Sequence, residues 1–290
     1  MINLKNNNIK LVEVGPRDGL QNETKLISLD IKLELIKKLI DAGLTNIEVG
    51  SFVSEKKVPS MKNTYELCVK LQSYLKNKKY SLSTLVPNLK GLEQALKAKV
   101  SEIAVFISCT ETFSHKNINC SILESLDRVK NITEICKKNN IQVRAYISVV
   151  FGCPYEGNVL PQQSLDLIKK LLKLGVYEIS LGDTIGIANP PQVKKLLELL
   201  KAEKINLSNI AMHFHDTQKL ALDNILISLK QGIRIFDSSV GGLGGCPYAD
   251  GATGNVATED VIKLLESNSF KTDIDLQKIK DTAKFIKKYI

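Results

Sequence analysis

The sequence predicts a parallel α/β fold of eight repeating units that closes into a (β/α)8 barrel, and three observations carry that expectation. Short apolar runs that read as strands alternate with amphipathic stretches that read as helices, eight times along the chain. Polar and ionisable residues gather at the carboxyl ends of those strands, which in a parallel barrel form one rim. The 290 residues are 43% hydrophobic and contain no Pro/Gly/Ser-rich linker, so residues 1–290 are expected to form a single domain with one large core.

The strands are expected at residues 9–15, 46–52, 80–87, 102–109, 142–151, 177–182, 209–215 and 233–240. Between them, apolar residues recur at helical spacing, as in Ile31, Leu35 and Leu39 and in Leu167, Leu171 and Leu174. Gly43 and Gly175 are placed as carboxyl-terminal stops, and Pro190 and Pro191 suit the start of the sixth helix. A last helix, about 275–289, lies outside the repeat. An open doubly wound sheet is the rival arrangement. Only closure sets the first strand beside the eighth and so brings the loop after strand one to the end of strand seven.

Composition narrows the possible partners. The formal charge of +9 comes almost wholly from lysines scattered along helices, such as Lys37, Lys38, Lys169, Lys170, Lys194 and Lys195. No basic segment with interleaved aromatics marks a nucleic-acid site. No stretch is long enough to span a bilayer, and Met1 to Asn8 holds no apolar run of signal-peptide length. A cytoplasmic protein that binds neither membrane nor nucleic acid is expected. Its six cysteines (68, 109, 120, 136, 153 and 246) include no C-x-x-C pair and read as free thiols.

His213 and His215 flank Phe214 at the end of the seventh strand, and alternate strand residues share a face. Two imidazoles converging in this way suit a divalent metal, although a pair of hydrogen-bonded structural histidines has the same signature. Barrel closure would gather around them Arg17 and Asp18 after strand one, Glu48 at strand two, Asp183 after strand six and the long loop after strand eight. By themselves, Asp18 reads equally as a turn residue before Gly19, Asn255 as a helix cap, and Arg17 as an ion-pair partner of Glu48. The glycine-rich run 241–254, which carries Cys246, is too flexible for core, and it lacks the lysine-threonine pattern of a phosphate-binding loop.

The segments Val12-Glu13-Val14-Gly15-Pro16-Arg17-Asp18-Gly19-Leu20-Gln21-Asn22-Glu23, His213-Phe214-His215-Asp216-Thr217 and Gly241-Gly242-Leu243-Gly244-Gly245-Cys246-Pro247-Tyr248-Ala249 closely resemble the 3-hydroxy-3-methylglutaryl-CoA lyase family. Gly50 to Ser54, Lys116 to Ser121, Gly152 to Gly157 and Leu181 to Gly186 extend the likeness nearly end to end. The resemblance implies a TIM barrel whose substrate is 3-hydroxy-3-methylglutaryl-CoA. It implies Asp18, His213, His215 and Asn255 as ligands of a divalent cation. One carboxylate, two neutral imidazoles and an amide oxygen suit Mg2+ or Mn2+ better than a closed zinc site. It further implies Arg17 at the thioester oxygen with Glu48 orienting it, Gln21 at the substrate, and Cys246 as a thiol acid on a mobile lid. Asp183 and Asp18 are the candidates for the general base, and a homodimer is expected.

This chain departs from the family pattern in two places. Gln218-Lys219 follows the histidine motif where the family has an aromatic or arginine and then glycine, and Lys57 stands where an aromatic is common. Lys56 or Lys57 could meet CoA phosphates. The rival functions are a condensing synthase of the same barrel group, acting on acetyl-CoA and a 2-oxo acid, and a non-catalytic basic RNA-binding protein.

Overall fold

Eight parallel strands close into a barrel in sequence order: β1 (Lys10–Glu13), β2 (Asn46–Ser51), β3 (Ser81–Leu85), β4 (Glu102–Ser108), β5 (Gln142–Ser148), β6 (Glu178–Asp183), β7 (Ile210–Phe214) and β8 (Ile235–Ser238). The computed structural model describes residues 8–75, 80–245 and 254–290. Closure runs through β1 and β8, which pair from Lys10 with Ile235 to Glu13 with Ser238. The open-sheet alternative is thereby excluded.

Ten helices are described: α1 (Leu29–Asp41), α2 (Thr64–Tyr74), α3 (Leu89–Lys97), α4 (Glu111–Ile118), α5 (Ile122–Lys138), α6 (Pro161–Lys173), α7 (Pro190–Ala202), α8 (Ala221–Gln231), α9 (Thr258–Ser267) and α10 (Leu276–Ile286). The short α4 is an insertion in the loop after β4, so the helix on Pro190 and Pro191 is the sixth of the repeat but α7 by count. Gly43 and Gly175 end their helices at φ +104° and +86°, as their positions predicted. Ser28, Ser121 and Asn189 cap α1, α5 and α7 through side-chain oxygens. The final helix lies across α1, starting one residue inside the expected range and ending three residues short of it.

Most strands end earlier than their apolar runs. β1 stops at Glu13 because Gly15–Gly19 forms one π-helical turn, in which Gly19 N–H donates to the Val14 carbonyl. β5 stops at Ser148 because Val149 adopts φ +55°, a costly conformation for a β-branched residue, with its N–H on Thr184 Oγ1. The apolar residues beyond, Val150 and Phe151, remain buried in the loop. Hydrophobicity reports burial, whereas strand ends are set by backbone geometry.

Strand alternation puts Arg144 and Tyr146 on the interior face of β5, beneath the rim. A small apolar plug of Val12, Val14, Ala211 and Ile235 fills one side of the barrel, and Leu85, Ala104 and Tyr146 fill another. Between them runs a buried polar chain. Lys10 pairs with Glu178 at 2.9 Å, Glu178 with Arg144 at 2.6 Å, and Arg144 with Asp237 at 2.6 Å. Breaking the fully buried pairs of Arg144 by removing one partner costs ~3–5 kcal/mol, since it strands a charge in low dielectric.

Candidate active site at the barrel mouth

The residues expected at the rim do converge. Arg17 and Asp18 stand in the π-helical turn after β1, which points both side chains inward over the barrel mouth. His213 ends β7, and His215, one residue beyond the strand, bridges to Asn255 on the return from the glycine-rich run. Asp18 Oδ2 lies 4.0 Å from His213 Nε2, 3.9 Å from His215 Nε2 and 2.8 Å from Asn255 Nδ2. The two imidazole separations are too long for hydrogen bonds. One ligand atom from each of Asp18, His213 and His215 lies within 4.8 Å of the others.

This donor set fits a hard or borderline divalent ion. Burial would raise the Asp18 carboxyl, but Arg17 and both histidines overcome it and hold the group at about 2, so it is anionic at neutral pH. Burial, with His213 alongside, lowers His215 to about 4, leaving a neutral imidazole with a free lone pair. Among the described residues its buried Nδ1 has no partner. Four linked carboxylates, Asp18, Glu48, Glu178 and Asp237, face three cations, Arg17, Arg144 and Lys10. A cation would redress that balance.

Arg17 is gripped on both sides. Its Nε donates to Glu48 Oε2 and its Nη1 to Asp18 Oδ1, each at 2.5 Å. Burial works against the charge, but Glu48 and Asp18 hold the guanidinium cationic. Tyr146 lies between two guanidinium groups, with Arg17 Cζ 5.1 Å and Arg144 Cζ 4.8 Å from its ring centroid, and its hydroxyl donates to Glu48 Oε2 at 3.0 Å. The ion-pair reading of Arg17 therefore holds geometrically. It leaves the guanidinium on the wall of a cavity of about 590 Å3.

That cavity runs from Asp18, His213 and His215 past Tyr146, Phe106 and Leu85, then out between β3 and β4. These two strands pair only as far as Leu85 and Ala104, while β4 continues to Ser108 beside β5. The gap opens towards α5, where Val129 and Ile132 form an apolar wall and Lys57, Lys116 and Arg128 supply positive charge. Gln21 lines the mouth, and its carbonyl accepts from Ser60 Oγ at 2.5 Å. Lys56 is not among the lining residues described.

A family model described as HMGL-like matches residues 8–286. The chain belongs to this family. Across the HMGL-like family, it is 48% identical over 282 residues to the rat 3-hydroxy-3-methylglutaryl-CoA lyase, cytoplasmic, covering 97% of this chain and 81% of that protein. It is 47% identical over 278 residues to a Pseudomonas aeruginosa 3-hydroxy-3-isohexenylglutaryl-CoA/hydroxy-methylglutaryl-CoA lyase, covering 96% and 91%. The crystal structure of the Bacillus subtilis HMG-CoA lyase superposes with a TM-score of 0.93 at 44% identity, covering 98% of this chain and 94% of that one.

Asp183 and Cys246 are not among the residues that line the described cavity. Asp183 is buried with both oxygens taken by the backbone, Oδ1 by Ile187 N–H at 3.0 Å and Oδ2 by Ala188 N–H at 3.1 Å. These two bonds make it a brace for the loop after β6. Burial raises its carboxyl to about 6. Cys246 lies outside the described residues. The stem on either side of it is tight, because a Cβ on Gly254 would run into the carbonyl oxygens of Gly242 and Gly244.

Sequence reasoning missed Arg144, Tyr146, Asp237 and Glu13 as supports of the site. Glu13 is fully buried and accepts from Gly15 N–H, Val240 N–H and Thr258 Oγ1, which ties the turn bearing Arg17 to the loop after β8. The available signal was a charged residue inside an apolar strand run, at the same parity as a rim residue.

Proposed function

We propose that this chain cleaves 3-hydroxy-3-methylglutaryl-CoA to acetyl-CoA and acetoacetate with a divalent cation, Mg2+ or Mn2+, held by Asp18, His213, His215 and the Asn255 amide oxygen. The observation that carries the reading is the convergence of Asp18 and the two histidines directly beside Arg17, at the inner end of a cavity that opens towards Lys57, Lys116 and Arg128. A bound cation supplies Lewis acidity, lowering the pKa of the substrate's tertiary hydroxyl.

The chain's own residues supply the remaining needs of the reaction. The hydroxyl gives up its proton, the bond between C2 and C3 breaks, the hydroxyl carbon becomes the ketone of acetoacetate, and the electron pair moves to the thioester enolate. Arg17 places a permanent charge on the thioester oxygen, where negative charge develops, and Glu48 and Tyr146 keep it aimed. Gln21 contacts the acyl group from the mouth. The Cys246 thiol returns a proton to C2, since a thiol of pKa ~8.5 is mostly protonated near neutrality. Asp183 and Asp18 are the base candidates; Asp18 lines the cavity, and Asp183, with its carboxyl raised to about 6, is the more basic of the two. Lys57, Lys116 and Arg128 meet the CoA phosphates. We place the reaction in the cytoplasm; among the described residues no helix is long and apolar enough to cross a membrane.

A coupled assay with 3-hydroxy-3-methylglutaryl-CoA, with and without Mg2+ and thiol reductant, tests this. Metal-dependent acetoacetate release is the expected result. Release of free CoA from acetyl-CoA plus a 2-oxo acid, without cleavage activity, would establish the synthase instead. A second reading, a longer 3-alkyl group, draws support from the name of the Pseudomonas relative and from the apolar wall at Leu85, Phe106, Val129 and Ile132. The ratio of kcat/KM for isohexenyl and methyl substrates decides it.

A further inference from the structure

Behind His213, on the side away from Asp18, stands Asp237 of β8, a residue without access to the cavity. Its Oδ2 lies 3.2 Å from His213 Nδ1 and accepts from Ser180 Oγ at 2.7 Å. Arg144 clamps both oxygens, Nη2 on Oδ1 at 2.6 Å and Nη1 on Oδ2 at 3.3 Å. Arg144 cannot shift freely, because its Nε donates to Glu178 at 2.6 Å and the residue is 1% exposed. A carboxylate bound in this way offers only acceptors. His213 Nδ1 must therefore carry the proton, which leaves the lone pair on Nε2, the atom 4.0 Å from Asp18 Oδ2. His215 is built differently, since among the described residues nothing meets its buried Nδ1.

We propose that Asp237, clamped by Arg144 and Ser180, is a positioning residue that locks His213 in the tautomer presenting its Nε2 lone pair to the ion site, making His213 the fixed ligand and His215 the adjustable one. The proposal rests on the metal reading above and deepens it. Asp237 touches neither substrate nor ion. The rival role is purely electrostatic, with Asp237 serving only to neutralise Arg144. The two roles separate on substitution by asparagine, which can still turn its oxygen to Arg144 but then offers an N–H to His213 Nδ1. That reverses the tautomer and puts a proton where the lone pair is needed.

The test titrates Mn2+ into wild type, Asp237→Asn and Ser180→Ala, reading free Mn2+ by electron paramagnetic resonance. Alongside it, 15N resonances of His213 are recorded in metal-free wild type. Asp237→Asn is expected to weaken Mn2+ binding about 10- to 100-fold, with Ser180→Ala, which keeps the carboxylate, losing less. At saturating Mn2+ the KM for the acyl-CoA should stay near wild type. Wild-type His213 should be protonated on Nδ1. A folded Asp237→Asn protein with wild-type Mn2+ affinity, or a His213 protonated on Nε2, overturns the proposal. Should the asparagine variant fail to fold, the wild-type tautomer decides. A wild type that binds no Mn2+ removes the metal reading itself and this proposal with it.

Discussion

Glu48 holds Arg17 from behind, Oε2 to Nε at 2.5 Å, and is itself completely buried with its second oxygen unpartnered. Burial raises the Glu48 carboxyl, and the Arg17 charge is what opposes that rise. The pair is thus asymmetric: the guanidinium lines the cavity, while the Glu48 carboxylate stands behind it. Arg17→Gln should lower kcat by roughly two orders of magnitude or more while leaving metal content intact. Turnover and elemental analysis on the same preparation check this. Loss of metal or of folding would assign Arg17 to structure alone.

Removal of the cation should abolish turnover, and Mg2+ or Mn2+ should restore it. Asp18, His213 and His215 have few other partners facing the cavity, so chelation is expected to leave the fold standing. The measurement is activity against metal content, with circular dichroism as the control. Full activity in protein shown to be metal-free would sink the assignment of these residues.

Cys246→Ser keeps the size of the side chain but raises the pKa of the acid by several units. A steep fall in kcat with little change in substrate affinity is expected, and metal binding should survive. Alkylation should inactivate the wild type, more slowly when a non-cleavable substrate analogue is bound. A serine variant with near-normal turnover would make Cys246 incidental.

Glu13 carries a pH prediction. Burial lifts its carboxyl from 4.5 to about 7, against the three hydrogen bonds it accepts. Between those values the unfolded chain loses the proton first, so the native state binds more protons and stability falls as pH rises. The decline amounts to ~3 kcal/mol at most and levels off above pH 7. Glu13→Gln should lack this part of the slope. Urea unfolding from pH 4.5 to 8 gives the comparison, and parallel curves for the two proteins would refute it.

Lys219 adopts φ +61°, the left-handed conformation that glycine takes without cost, and its ammonium is 3.8 Å from Asp216. Lys219→Gly should stabilise the protein by up to ~1 kcal/mol, the relieved strain being partly offset by a more flexible unfolded chain. Thermal denaturation reads the gain. A lower Tm would mean that the ion pair with Asp216 outweighs the backbone.

The eight strands and the rim cluster were legible in the sequence because both rest on local periodicity: apolar runs name the strands, and alternation pairs His213 with His215. Barrel closure needed only the count of units. What lay beyond local reading was whatever depends on register between distant strands. Arg144 meets Asp237 across 93 residues, and Glu13 meets Thr258 across 245. Asp183 is a case of local folding that periodicity does not show: the loop that follows its strand folds back and donates to both of its oxygens. The insertion of α4 was equally hidden, since it interrupts no periodic run.

Asp18 and Asn255 meet across 237 residues, one just after the first strand and the other after the last. A growing chain therefore carries Asp18 from the outset of synthesis, while its amide partner leaves the ribosome near the end. On the metal reading proposed above, the four ligands come together only when β8 lies beside β1, and a chain truncated before Asn255 would lack one of them.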